Sequence, residues 1–199
     1  MFFVLRRIVL TVFGLLVAGL LVFLYQKRYV VQPVFDYYAL WHASRAMEKA
    51  YMGELTGQAT AVMSGDLFQV RGRDGLNYNF RLAGIQAPQR SLASSKELQR
   101  LASLSKSNLA SLVLSNQVKV AFTYMSEFHG GVGLAYVNET NNVNARMLEA
   151  GLAWINTNGL KALPLRDQYT LVLAERNARQ QQLGGWKDVP DFPKPAANP

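Results

Sequence analysis

The chain has 199 residues, with 21 Lys and Arg against 13 Asp and Glu and a net charge of +8. It contains no cysteine, which excludes disulfides and thiolate metal centres while leaving reducing and oxidising compartments both open. The length suits one compact domain with an attached segment. Net charge is +3 over residues 1–55 (6 basic against 3 acidic) and +5 over residues 56–199 (15 against 10), which fits an anionic partner or an ordinary mixed surface.

Arg6 and Arg7 precede an uncharged run over residues 8–25. As a helix that run extends about 27 Å, close to the thickness of a bilayer core. Tyr25, Lys27, Arg28 and Tyr29 follow it, as interfacial anchors do. The run is long for a secretory signal, lacks a small-x-small cleavage site and has no polar face for a core helix. A retained single-pass anchor over residues 1–30 is therefore expected. Basic residues nearly balance across the span, so its orientation stays open, and no acidic residue occurs before Asp36. A mitochondrial inner membrane and a bacterial cell envelope both suit that pattern. Residues 31–55 form a juxtamembrane segment, whose stretch 33–52 starts at Pro33 and reads as an aromatic-rich helix. His42 has no ligand-type neighbours there and reads as an ordinary side chain.

The periodicity changes from Gly57 onward. "LNYNFRL" alternates, with Leu76, Tyr78, Phe80 and Leu82 on one face and Asn77, Asn79 and Arg81 on the other. "QVKVAFTY" does the same with Val118, Val120, Phe122 and Tyr124, and Asp74-Gly75 marks a hairpin. A helix is expected from about Ser94 to Leu114, burying Leu98, Leu101, Ala102, Leu109, Leu112 and Val113. "NVNARMLEAG" reads as a second helix capped by Gly151, and a third runs from about Leu165 to Leu183. Residues 189–199 form a proline-rich tail unsuited to helix or strand. The order of these elements gives an α+β class with a small curved sheet.

"VMSGDLFQV", "FRLAGIQAPQ", "SSKELQRLASL", "VKVAF", "GGVGLAYV", "NVNARMLEAGLAW" and the closing "GGW" occur in the order of the staphylococcal-nuclease (thermonuclease-like) family, which residues 56–188 resemble. The resemblance implies a five-stranded OB-type β-barrel with about three helices. Trp154 and Trp186 fall where the family packs core residues. It also implies phosphodiester cleavage using calcium, a carboxylate that handles water, and two arginines on the phosphate. A hard divalent ion needs several oxygen ligands, and arginines stabilise charge on phosphoryl oxygens.

The family pattern keeps Asp66 as a metal-ligand position and Arg81 as the first arginine. It departs at three others. The loop pattern R-L-x-G-I-D-A-P-E reads "RLAGIQAPQ" here, so Gln86 replaces the second metal carboxylate and Gln89 the catalytic glutamate; Val132 stands where the second arginine belongs. Gln89 has no basicity, Gln86 offers a carbonyl oxygen without charge, and Val132 cannot hydrogen-bond a phosphate. The expectation is a vestigial site with no catalytic residue and no cofactor, in which Asp66 and Arg81 form a salt bridge. Glu127 and His129, near Val132, offer a base and an acid for a rebuilt site, or a solvated hairpin loop. Asn138, Glu139 and Thr140 match a glycosylation sequon, which matters only in a secretory compartment.

Three functions remain open. The first is a membrane-anchored, non-catalytic binding or assembly module within a membrane protein complex. The second is a divergent membrane-anchored nuclease or phosphodiesterase, for which calcium would be the cofactor. The third is a nucleic-acid-binding OB module carried by Arg71, Arg73, Arg81 and Arg90.

Overall fold

The computed structural model describes residues 51–189 together with Val17 and Phe192. The chain divides into two compact units, Met1–Ala46 and Met47–Pro199. Among the described residues no helix is long and apolar enough to cross a membrane. The expected span over residues 8–25, apart from Val17, together with His42 and most of the juxtamembrane helix, lies outside the described residues. Tyr51 and Met52, which the juxtamembrane pattern places in a helix, are not helical.

The second unit is a closed barrel of β1 (Gly53–Ser64), β2 (Leu67–Gly72), β3 (Asn77–Leu82), β5 (Gln117–Met125) and β6 (Gly130–Val137). Pairing runs β3-β2-β1-β5-β6, and a parallel β3–β6 ladder closes the ring. The twelve-residue β1 serves two neighbours: residues 53–58 pair with β5 and residues 57–64 with β2. Register shifts between Ala59 and Ala61 and between Val62 and Ser64 supply the bends this requires. Phe68, Val70, Phe80, Leu82, Val118, Val120 and Leu134 fill the interior, each buried.

The Asp74-Gly75 hairpin forms as expected, with Gly75 at φ 81° and the Gly72 amide donating to the Leu76 carbonyl. Strand alternation is borne out for Phe80 and Leu82 but lapses at the barrel's rim. Leu76 lies in the turn, 45% exposed, whereas Tyr78, half-buried, packs against the core on the expected face. Tyr124, expected on the apolar face, is 56% exposed. Its flip has a cause in the register shift between Phe122 and Tyr124, because one extra residue reverses which side chains point inward.

Helix α1 (Lys96–Val113) packs on β1, and the Ser95 hydroxyl accepts the Leu98 amide as N-cap. Leu101, Ala102, Leu109 and Val113 are buried as predicted, while Leu98 and Leu112 are half-buried; Ser105, a polar member of the stripe, is fully buried. α2 (Val143–Glu149) ends at Gly151 with φ 64°. Short β4 (Ile85–Gln86), β7 (Asn141–Asn142) and β8 (Trp154–Ile155), and helices α3 (Thr157–Leu160), α4 (Leu165–Gln180) and α5 (Gly185–Asp188), complete the unit. Trp154 and Trp186 pack in a satellite cluster with Leu101, Val189 and Phe192 rather than in the barrel core. Two residues of the predicted tail segment, Val189 and Phe192, are thus buried.

Candidate functional site

Asp66 occupies the two-residue turn between β1 and β2, where Ser64 faces Leu67. The turn lies hard against α1: a Cβ at Gly65 would sit 1.8 Å from the Ser105 hydroxyl oxygen. That hydroxyl donates to the Leu152 carbonyl at 2.8 Å. Only glycine lets the turn and helix approach so closely. The Asp66 backbone carbonyl accepts from the Leu82 amide at 2.8 Å, which ties the turn to β3.

The Asp66 side chain is 1% exposed and both its oxygens are engaged. Oδ1 accepts from the Ser64 hydroxyl at 2.6 Å and Oδ2 from Arg81 Nη1 at 2.7 Å. Arg81 sits between buried Phe80 and Leu82, so strand alternation turns it outward, with its side chain 43% exposed. Across the ladders it stands opposite Leu67 on β2 and Val132 on β6. Val132 in turn faces Tyr124 on β5. Asp66, Arg81 and Val132, far apart in sequence, thus meet on one patch of the barrel wall.

The two glutamines lie elsewhere on the loop. Gly84, at φ 72°, starts the departure from β3, and its carbonyl accepts from the Asn156 amide at 3.0 Å. A Cβ there would meet Leu163 and Leu171 at 2.9 Å. Gln86 then pairs with Trp154 in the β4–β8 ladder, and Gln89 precedes a 3-10 turn at Arg90–Leu92. Both line a small pocket of about 130 Å³ with Leu92, Leu98, Trp154 and Phe192. Asp66, Arg81 and Val132 do not line it.

Asn144 escaped the sequence reading although it sits inside the quoted "NVNARML" block. It is fully buried on α2. Its Oδ1 accepts the Ala135 amide at 3.0 Å, and its Nδ2 donates to the Ala83 carbonyl at 2.8 Å and the Gly133 carbonyl at 3.4 Å. One side chain therefore fixes the start of the glutamine loop against β6. The available signal was an amide among apolar helix positions, which needs partners when buried. Glu175, also buried, accepts the Ile155 amide at 2.9 Å and pairs with Arg179 at 3.1 Å, while the Arg179 guanidinium lies 4.2 Å from the Trp186 ring centroid.

His129, at φ 56°, packs edge-on against Tyr78, and its carbonyl accepts from the Asn79 amide. The Tyr78 hydroxyl donates to Asp74, which holds the Asp74 carboxyl below its ordinary pKa and raises that of the phenol. Glu127 is exposed in the same hairpin. Asn138 and Glu139 both take positive φ in the β6–β7 turn.

A closed, mixed five-stranded barrel with helices packed outside it defines an OB-type α+β domain. Residues 79–188 match the family model described as staphylococcal nuclease homologue, and the chain belongs to that family. The fold extends the domain upstream of the match, since β1 starts at Gly53. Two curated relatives, from Escherichia coli O157:H7 and Escherichia coli and each called an uncharacterized endonuclease, are similar to this chain. Each is 27% identical over 145 residues, covering 70% of this chain and 82% of the relative.

Proposed function

We propose that this chain is a membrane-tethered member of the family whose barrel serves as a binding or assembly module of a membrane complex, without cleaving phosphodiesters. The observation that carries this reading is the state of Asp66. It is buried, and its two oxygens are already taken by Ser64 and Arg81. Calcium asks for six to eight oxygens, with carboxylates supplying the affinity. Here the donors are one carboxylate neutralised by a guanidinium and the neutral amides of Gln86 and Gln89. Among the described residues no group of three Asp, Glu or His gathers in one place. The residues do not fit the ion. A base is also wanting at Gln89, and Val132 offers no charge.

The apolar run over residues 8–25 supports the tether. The pairing of Val132 with Arg81 supports a patch that has changed from clamping phosphate to structural contact. A second reading, a divergent nuclease, has in its favour the printed name of the curated relatives, endonuclease.

One assay separates the two. The full chain in mild detergent is incubated with single-stranded DNA or RNA, with calcium or magnesium, with and without chelator. A positioned base contributes roughly a hundred- to ten-thousand-fold, and a charge clamp roughly another hundred-fold or more. Cleavage is therefore expected at background, unchanged by chelation. Turnover that disappears with chelator and in Arg81→Ala would overturn the proposal in favour of the nuclease.

A further inference from the structure

We infer that the cavity beside the glutamine loop binds one small neutral ring carrying an adjacent N–H and C=O, the edge of a pyridone or of uracil. Gln86 faces Trp154 in the β4–β8 ladder, and both line the cavity. Opposite residues of an antiparallel pair project on one face with Cβ atoms about 4.5–5.5 Å apart, so the Gln86 carboxamide and the Trp154 indole stand side by side. Gln89 follows buried Pro88 at φ −105°, and its side chain makes no cap bond to the 3-10 turn at Arg90–Leu92. Both glutamines are half-buried, and neither carboxamide has a hydrogen-bond partner among the described residues.

The wall opposite these amides is aromatic and braced. Trp154 and Phe192 are buried, edge to face, with ring centroids 5.1 Å apart. Phe192 meets Trp186 in the same manner at 4.7 Å, and the Arg179 guanidinium covers Trp186. Leu92 and Leu98 close the sides. A wall held in this way stands before a ligand arrives, so little ordering is left for binding to impose.

Size and charge decide what fits. The cavity holds about 130 Å³, and an apolar cavity of roughly 150 Å³ takes benzene. One six-membered ring therefore enters, while a fused bicycle or an acyl chain does not. No charged side chain lines the cavity, which excludes phosphates, carboxylates and metal ions, because a desolvated charge needs a partner. A plain hydrocarbon ring would bury the amides unpaired, which is costly. A carboxamide presents a donor and an acceptor in one plane, and these match the acceptor and donor of a cyclic amide through two parallel hydrogen bonds. The glutamines that replace the family's carboxylates become recognition groups. This assignment rests on reading them as non-catalytic, though not on the tether.

The test titrates the full chain in mild detergent with uracil, benzene and adenine. NMR follows the side-chain amide signals of Gln86 and Gln89 and the indole signal of Trp154. Ligands of so few atoms bind with Kd values of roughly millimolar. Uracil should move all three signals saturably, with benzene about tenfold weaker or more for want of the polar edge and adenine weaker still. Gln86→Leu and Gln89→Leu should each weaken uracil by about tenfold at unchanged circular dichroism. Ala93→Leu, which fills the cavity from its wall, should abolish binding of uracil and benzene alike. Uracil that moves nothing, benzene that binds as well as uracil, or uracil affinity unchanged in all three variants would each overturn the site. A uridine oligonucleotide that binds far more tightly than uracil through the same glutamines identifies a nucleic-acid strand as the source of the ring; equal affinity identifies a free molecule. Chelator-sensitive cleavage that either glutamine variant abolishes overturns this inference together with the non-catalytic reading. Uracil that leaves the signals unmoved in a chain that does not cleave overturns this inference alone.

Discussion

Replacing Asn144 with alanine tests whether a single buried amide holds the glutamine loop to the barrel. The substitution strands the Ala135 amide, at 3.0 Å from the lost oxygen, and the Ala83 carbonyl, at 2.8 Å from the lost nitrogen. The Gly133 carbonyl, at 3.4 Å, loses a weaker contact. Each orphaned buried group costs about 1–3 kcal/mol, so the two strong bonds together imply a loss of about 2–6 kcal/mol. Set against a total stability of about 5–15 kcal/mol, that is a large share. For a domain of this size each kcal/mol moves Tm by about 2–4 °C, giving an expected fall of roughly 4–24 °C. Thermal unfolding followed by tryptophan fluorescence measures it, with exposed Asn141→Ala as the reference. Hydrogen exchange should rise at residues 83–89, because Ala83 is where the loop is pinned. A fall in Tm no larger than the reference, or a loop that exchanges as before, would refute the argument that Asn144 holds this junction.

Two further outcomes follow from the same structure. Burial raises the Tyr136 phenol from 10.0 to about 12, and burial with the Asp167 hydrogen bond raises Tyr51 further. Protons are then held more tightly folded than unfolded, so this stability is complete below about pH 10 and drains away as pH rises toward 12. Denaturant unfolding from pH 8 to 12 should show a decline that the double variant Tyr51→Phe, Tyr136→Phe flattens, and equal slopes would contradict it. Val132→Arg places a cation opposite Arg81 and should cost roughly 0.2–1 kcal/mol. Millimolar inorganic phosphate should restore part of that Tm loss, and a Tm indifferent to both changes would mean that the two side chains do not share a patch.

The elements with strong local signals were legible in the sequence. Asp74-Gly75, the α1 stripe and Gly151 are set by turn chemistry and periodicity, which depend only on neighbours in the chain. The outward turn of Tyr124 was hidden because it arises from a register shift against β6, a partner that no local pattern reveals. Ser105 and Asn144 were passed over since polar residues in apolar stripes read as interruptions until their partners, Leu152 and Ala83, come into view. At the site, the family pattern named Asp66, Arg81 and Val132, and strand pairing brought them together. That Gln86 and Gln89 line a pocket apart from these three depends on the β4–β8 ladder, whose strands of two residues are too short to carry a periodic signal.

The parallel β3–β6 ladder also has a consequence for how the chain is made. Its partners, such as Asn79 and Gly130, are separated by α1 and β5, so closure is a long-range event and a slow one. Until Gly130–Val137 has left the ribosome, β3 and β5 each present an unpaired edge, the kind of template on which chains aggregate. Synthesis from the amino terminus exposes the β3 edge for the time taken to translate some fifty residues, a few seconds at roughly 5–20 residues per second, and the β5 edge for only about a dozen. A pause placed before β6 would lengthen that exposure, and one placed after it would not.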